Sequence, residues 1–573
     1  MTWEQVYDQW KSYKKLDGNL AQNLKEIEKN PEELKDAFYA PLEFGTAGMR
    51  GILGAGINRM NIYTVRQATE GLATFIDSQG AKAQRRGVAI AYDSRHQSPE
   101  FAMEAAKTLA YHNITSYVFE SLRPTPELSF AVRDLNCFAG IMITASHNPA
   151  KYNGYKVYGE DGGQMPPQDA DALTSYVRQV ENPLIVPVLS EEEVEKSGLI
   201  NIIGADVDHR YLEQIKSVTV DEELIQRSGK DLKLIYTPLH GTGKMLGEKA
   251  LRQAGFEQFS IVPEQAVADP DFSTVASPNP EEHSAFEYAI RLGEKENADL
   301  LVATDPDADR LGAAVRLPDG NYQVLTGNQL GAILVEYLLQ AHQVRGTLPD
   351  NAVVLKSIVS SELPTKIAES FNVKMINVLT GFKFIAEKIE QYEEDKTHTF
   401  LFGFEESYGY LVKSFVRDKD AIQALLLLAE VATYYKEKNQ TLYDALQTIF
   451  KKYGFYKEKT ISITMSGLEG ADKIKKLMNG LRESAPTQFG NESVLFIEDY
   501  QKQQKTNRSG EQTSTGLPQS NVLKYTLTDG SWIAVRPSGT EPKIKFYLAA
   551  TADSHEAVEQ KVQEFEKSVR KFL

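Results

Sequence analysis

Beyond residue 40, short apolar runs of β-forming residues alternate with longer stretches of helical period, and this alternation constrains the fold more than any other feature. Gly87–Tyr92, Phe138–Ile143, Leu232–Thr237, Leu300–Thr304 and Phe400–Gly403 read as strands, and Glu100–Tyr111, Asn328–Leu339 and Ala421–Lys436 as helices. Such alternation predicts α/β layers with largely parallel sheets. With 573 residues the chain exceeds what one core organises, and ~100–200 residues per domain gives roughly three to five domains.

Residues 1–38 place Trp3, Val6, Trp10 and Tyr13 at helical spacing, an amphipathic lead-in in which Pro31 opens a second helix. Residues 181–208, with several prolines and the acidic run Glu191–Glu195, read as a connection out of a first domain. Turn signals at Leu317-Pro318-Asp319-Gly320 and Thr326-Gly327 put another boundary near residue 325. From Lys457 the alternating Thr460–Thr464 begins a final α+β domain, in which residues 501–520 read as a solvated loop and Glu556–Phe572 as a closing helix. The expected domains are 1–208, 209–325, 326–456 and 457–573.

A formal net charge of −16 argues against a nucleic-acid or anionic-membrane partner, since both need exposed positive charge. It also means that any phosphate substrate must be gripped by local Arg and Lys against the field of the whole protein. No apolar stretch is long enough to span a bilayer, and Met1–Val6 lacks the start of a signal peptide, so the chain reads as cytoplasmic. The single Cys137, inside an apolar run, reads as a core residue and excludes an internal disulfide or thiolate cluster.

Four loops carry chemistry. Thr144-Ala145-Ser146-His147-Asn148-Pro149, followed by Tyr152-Asn153-Gly154-Tyr155-Lys156, offers a nucleophile, a proton carrier and a cation just past a strand end, where open α/β sheets place ligands. Asn148-Pro149 and Asn153-Gly154 read as turns, and the whole run reads equally as a polar turn. Asp305-Pro306-Asp307-Ala308-Asp309-Arg310 supplies three carboxylates that can converge on one hard cation, with an acidic surface turn as the alternative. It is no EF-hand, because Arg310 and Arg316 stand where glycine and glutamate are required. Gly403-Phe404-Glu405-Glu406-Ser407-Tyr408-Gly409 suits a polyhydroxylated ligand or, equally, a helix N-terminus. Arg536-Pro537-Ser538-Gly539-Thr540-Glu541-Pro542-Lys543 offers a guanidinium fork and hydroxyls to an anion, or forms a plain hairpin turn. His240-Gly241-Thr242-Gly243-Lys244-Met245 fails as a P-loop, having Pro238 for the first glycine and Met245 for the final hydroxyl, and Leu246 breaks a dinucleotide fingerprint. No Gly-x-Ser-x-Gly elbow surrounds Ser146 and no base is evidently paired with it.

In order along the chain, these loops together with Phe44–Gly51, Tyr236–Gly241 and Thr380-Gly381-Phe382-Lys383 resemble the alpha-D-phosphohexomutase superfamily, most closely its phosphoglucomutase branch. The resemblance implies three similar α/β domains with mixed sheets plus a smaller C-terminal α+β domain around a central cleft. It implies that Ser146 is phosphorylated at rest and that Mg²⁺ is held by Ser146, Asp305, Asp307 and Asp309. Arg310 and Arg50 then add donors near the phosphoserine. Arg536, Ser538, Gly539, Thr540 and Lys543 grip the phosphate that is not reacting, and Glu405 and Ser407 bind sugar hydroxyls. His147 and Lys156 are candidates for handling the proton of the sugar hydroxyl. Lys383 fits the phosphoglucomutase-like pattern, whereas phosphomannomutase relatives carry a lysine where this chain has Leu379. The implied reaction interconverts glucose 1-phosphate and glucose 6-phosphate, with glucose 1,6-bisphosphate as activator and intermediate, in a monomer or weak dimer. Mannose or pentose phosphates, a metal-dependent sugar phosphatase, or an inactive sugar-phosphate binder are the alternatives. On this reading, reversing the charge of Arg50, Lys156, Arg310, Lys383, Arg536 or Lys543 weakens sugar-phosphate binding far more than reversing exposed lysines elsewhere, as titration with glucose 6-phosphate will measure.

Overall fold

The computed structural model describes residues 1–45, 48–465, 470–538 and 543–572. They form two compact units, one of Met1–Leu325, Ala386–Phe402 and Ser407–Thr441, the other of Thr326–Ile385, Gly403–Glu406 and Leu442–Leu573.

The first unit opens with three helices, Trp3–Ser12, Gly18–Ile27 and Pro31–Phe38, so Pro31 starts the third helix and not the second. Thr2, Asp17 and Asn30 accept backbone N–H bonds at the three N-termini, which explains where each begins. Trp10 packs edge-on against Phe38 and Tyr63, with ring centroids 5.8 and 5.5 Å away, and so joins these helices to the rest of the unit.

Behind them lies a six-stranded sheet in the order Gly48–Ile52, Tyr152–Tyr158, Ala139–Ile143, Val88–Tyr92, Ser116–Phe119, Ile200–Ile203. Its last four strands are parallel, and Val88–Tyr92 and Ala139–Ile143 are wholly buried, which is why they appear in the sequence as unbroken apolar runs. Helices Ile62–Ser78 and Ser98–Tyr111 bury Val65, Leu72, Phe101 and Leu109 in the same core as Ile90, Ile141 and Val157.

The sheet is mixed, four parallel strands being joined by two that run antiparallel. Residues 144–151 are too short for the crossover that a parallel return needs, so Tyr152–Tyr158 runs back antiparallel to Ala139–Ile143 and pairs on its other side with Gly48–Ile52. The second sheet repeats this arrangement. Leu300–Thr304 runs parallel to Leu234–Thr237, and the short segment 305–310 returns it as the antiparallel strand Leu311–Arg316.

Three local expectations change. Asn153 and Gly154 do not turn the chain: they lie within strand Tyr152–Tyr158, where Gly154 faces Arg50 across the ladder. A Cβ on Gly154 would stand 2.5 Å from the Thr144 carbonyl oxygen, so glycine is required by close backbone approach. Residues 181–208 do not simply leave the domain. Glu191–Ser197 is a helix closed by a Ser190–Glu193 capping box, and Ile200–Ile203 returns to the sheet beside Ser116–Phe119. Within 501–520, strands Gln504–Asn507 and Gln512–Ser514 pair as an exposed hairpin.

In the second unit, Ala352–Ser357 and Lys374–Val378 pair in parallel. The C-terminal part is α+β. Phe455–Thr464 pairs along its whole length with Lys543–Ala552, and Trp532–Pro537, Leu523–Leu527 and Glu492–Asp499 follow antiparallel. Helices Gly470–Glu483 and His555–Val569 share a core with that sheet through Met478, Leu481, Val562, Phe565, Ile533 and Phe546. No helix among the described residues is long and apolar enough to cross a membrane.

Gly154→Ala should destabilise the first unit by about 1–3 kcal/mol, because the clash is with backbone at the root of the Ser146 loop. Denaturant unfolding followed by tryptophan fluorescence, in a Trp532→Phe background so that the signal comes from Trp3 and Trp10 of the first unit, will check it.

Candidate active site

The two antiparallel returns of the first unit bring their loops together. Ser146 follows buried strand Ala139–Ile143 and holds φ +51°, and Ala308 follows Leu300–Thr304 and holds φ +49°. Neither is glycine, so each costs on the order of 1–2 kcal/mol in backbone strain, and both mark loops whose shape is imposed by their surroundings.

The Ser146 hydroxyl donates to Asp305 Oδ2 at 2.7 Å and lies 3.3 Å from His147 Nδ1. The sequence showed no partner for this serine, and the structure supplies a carboxylate. Asp305, Asp307 and Asp309 are at most 2% exposed, which excludes an acidic surface turn. Asp305 is engaged by the protein through both oxygens, Asp307 and Asp309 through one each. Asp305 Oδ1 accepts the N–H groups of Asp309 (3.2 Å) and Arg310 (3.0 Å). Asp307 Oδ2 accepts Thr125 Oγ1 (2.9 Å) and Lys156 Nζ (3.1 Å), and Asp309 Oδ2 faces Lys419 Nζ at 3.0 Å.

The other oxygens remain. Asp307 Oδ1 and Asp309 Oδ1 are buried and find no hydrogen-bond partner among the described residues. One oxygen from each aspartate can be chosen so that all lie within 4.8 Å of one another. Buried carboxylate oxygens without donors are costly, and a hard divalent cation is the group that satisfies them, so the donor set fits one.

Electrostatics agree. Burial, then the neighbouring Asp307 and Asp309, push the Asp305 carboxyl well above the usual range. Burial acts the same way on Asp307, but Lys156 and the hydrogen bonds from Asp305 and Thr125 outweigh it and hold Asp307 low. Burial, then Arg310 and Arg50, hold the His147 imidazole well below its ordinary value, so the ring is neutral at physiological pH.

The remaining first-unit candidates surround these groups. Arg50 donates to Asn148 Oδ1 at 2.8 Å. Arg310 donates through Nη1 to Glu281 Oε1 (2.8 Å) and to the Ser407 carbonyl (3.2 Å), so Ser407 meets Arg310 through its backbone.

Lys383, Glu405, Arg536, Ser538 and Lys543 belong to the second unit. Glu405 Oε1 accepts the Gly381 N–H at 2.7 Å, two residues before Lys383, whose Nζ stands 5.2 Å from the Phe384 ring centroid. Burial, then Glu406, raise the Tyr547 phenol against the opposing pull of Arg536, with Glu405 adding to the rise. Ser538 N–H donates to the Lys543 carbonyl at 2.6 Å, closing the base of the hairpin. Gly539 and Thr540 lie outside the described residues.

The four-loop chemistry has a match. Residues 41–183, 209–318, 326–453 and 490–567 match, in turn, alpha/beta/alpha domains I, II and III and the C-terminal domain of the phosphoglucomutase/phosphomannomutase family. A phosphoglucomutase of Staphylococcus epidermidis is 41% identical over 534 residues, 93% of this chain and 95% of its own. The chain belongs to the phosphoglucomutase/phosphomannomutase family. A Staphylococcus aureus phosphoglucomutase is likewise 41% identical over 532 residues, covering 92% of this chain and 93% of its own. Among solved structures, the Paramecium phosphoprotein parafusin superposes with a TM-score of 0.67 at 17% identity, over 93% of this chain and 94% of its own. A phosphoglucomutase/phosphomannomutase family protein of Burkholderia thailandensis gives 0.66 at 16%, over 92% and 97%. These two support the fold, which is four mixed α/β domains of the family, the last α+β.

Family motifs alone did not reveal several contributors. Lys419 and Thr125 hold the outer oxygens of Asp309 and Asp307. Arg95 gathers the carbonyls of the serine loop. The stretch excluded as a P-loop supports the aspartate loop instead: Thr242 N–H donates to the Pro306 carbonyl at 2.8 Å, and a Cβ on Gly241 would stand 2.4 Å from Pro306 Cα.

Asp309→Asn should weaken Mg²⁺ binding by on the order of 100-fold and remove most of the rise in melting temperature that Mg²⁺ gives the wild type. Calorimetric titration and thermal melts with and without EDTA will test both.

Proposed function

We propose that this chain interconverts α-D-glucose 1-phosphate and glucose 6-phosphate by reversible phosphoryl transfer through Ser146. Identity to phosphoglucomutases over nearly the whole chain supports the reaction. The observation that carries the mechanism is the Ser146 hydroxyl hydrogen-bonded into a buried aspartate trio with two orphaned oxygens.

A phosphoryl group on Ser146 adds negative charge beside three carboxylates, an arrangement that needs a cation. Asp305, Asp307, Asp309 and phosphorylated Ser146 hold Mg²⁺, which supplies neutralisation of the charge on the transferring group. In the forward direction the sugar C6 hydroxyl attacks phosphorus as the Ser146 Oγ–P bond breaks, giving glucose 1,6-bisphosphate. The sugar then presents its C1 phosphate to Ser146. Neutral His147, 3.3 Å from Oγ, and Lys156 are the proton-handling groups. Arg50 and Arg310 support the phosphoserine side. Glu405, Ser407 and Lys383 recognise the sugar, and Arg536, Ser538, Gly539, Thr540 and Lys543 the unreacting phosphate. This reading carries the division 1–208, 209–325, 326–456 and 457–573, supported by the four family segments.

After phosphatase treatment, incubation with glucose 1,6-bisphosphate followed by intact-mass measurement should add one phosphoryl group to wild type and none to Ser146→Ala, with mutase turnover lost in the variant. Wild-type protein that isomerises substrate but never carries the group would refute the mechanism. Release of inorganic phosphate at the turnover rate would make the chain a phosphatase instead.

A further inference from the structure

The serine loop is tied from behind by one buried side chain. Arg95 donates from Nε to Asp93 Oδ2 at 3.1 Å, from Nη1 to the carbonyls of Pro149 and Tyr152 at 3.0 Å each, and from Nη2 to the carbonyls of Ser146 and Asn148 at 2.5 Å each. The Phe272 ring covers the guanidinium, with its centroid 5.0 Å from the central carbon.

Asp93 completes the device. Its carboxylate also accepts the Arg95 N–H (3.0 Å), Ser98 Oγ (2.9 Å) and Thr144 Oγ1 (2.7 Å), and Thr144 Oγ1 in turn accepts the Ser146 N–H at 2.8 Å. Both polar backbone groups of Ser146 are thus fixed to one ion pair, the N–H through Thr144 and the C=O through Arg95. Ser146 sits at φ +51°, a conformation an L-residue leaves when its restraints are removed. The hydroxyl on that backbone must reach Asp305 across from another loop, so a small rotation at Ser146 moves the reacting oxygen away from the trio.

We propose that Arg95, locked by Asp93, is a positioning residue that holds Ser146 Oγ for phosphoryl loading and transfer. This rests on Ser146 being the phosphoryl carrier. In loading, the Oγ–P bond forms as the phosphorus–sugar oxygen bond of glucose 1,6-bisphosphate breaks, and the serine proton ends on the released sugar hydroxyl. Arg95 contributes geometry only, and its demand is specific to a guanidinium. Lysine offers one compact ammonium with three donors and cannot serve the same fan of acceptors.

The test compares wild type, Arg95→Lys, Arg95→Ala and Asp93→Asn with Mg²⁺ present, measuring melting temperature, kcat and KM for glucose 1-phosphate, and the rate of phosphoryl uptake from glucose 1,6-bisphosphate by intact mass. Arg95→Lys should lower kcat by on the order of 100-fold and slow loading, with KM near wild type. Added guanidinium ion at non-denaturing concentration should restore part of the loading rate of Arg95→Ala and none of Ser146→Ala. Loading and kcat at wild-type values in Arg95→Lys overturn the inference, as does a loss confined to KM. If the Arg95 variants do not fold, Asp93→Asn decides: a kcat reduced about tenfold at unchanged KM supports the inference, and wild-type kcat refutes it. Phosphatase-treated wild-type protein that takes up no phosphoryl group would instead sink the Ser146 reading, so the two failures are distinguishable.

Discussion

Three aspartates buried within one short turn are the interaction on which the rest of the first unit depends. Carboxylates at this spacing repel one another, and burial removes the solvent that would screen them. The fold answers Asp307 with Lys156 from an inner strand and Thr125 from a helix start, and Asp309 with Lys419 from the segment before helix Ala421–Glu437, while Asp305 is held by backbone N–H groups of its own loop and by the Ser146 hydroxyl. What survives is a small, preorganised concentration of negative charge. Asp307 Oδ1 and Asp309 Oδ1 are left without a hydrogen-bond partner among the described residues, and a divalent ion would complete them.

The arrangement also settles how a strongly acidic protein handles acidic substrates. The bulk charge of −16 is a property of the surface, screened within about 8 Å at physiological ionic strength. Near Ser146 the balance differs, because Arg50, Arg95, Lys156, Arg310 and Lys419 all lie within the set of residues that touch the two loops or each other's partners. These few side chains offset the carboxylates gathered there.

Much of this was legible in the chain. Strands buried on both faces leave unbroken apolar runs, so Leu300–Thr304 and Ala139–Ile143 stand out within a residue of their true ends. The loops that follow them stand out because few folds concentrate Ser-His-Asn-Pro or alternating aspartates. Other features were hidden because they depend on partners distant in sequence. Asn153-Gly154 has turn chemistry, yet that glycine is needed for close packing of Thr144 against its neighbour strand. Ile200–Ile203 is too short and too exposed to declare itself as a strand until Ser116–Phe119 offers it an edge. Arg95 and Lys419 look like any charged residue, and only the fold shows that one is enclosed by carbonyls and the other by carboxylates.

The strand that carries Lys156 has one further consequence. Lys156 pairs with Met142 on one side and Gly48 on the other, while its neighbours Tyr155 and Val157 are buried in the core. Side chains alternate between the faces of a strand, so sliding this ladder by a single residue would send a tyrosine or valine toward Asp307 and drive the amine into the hydrocarbon interior. The length of the Ser146 loop is therefore also a ruler. Through it, the polypeptide counts residues to decide which face of the sheet receives the charge.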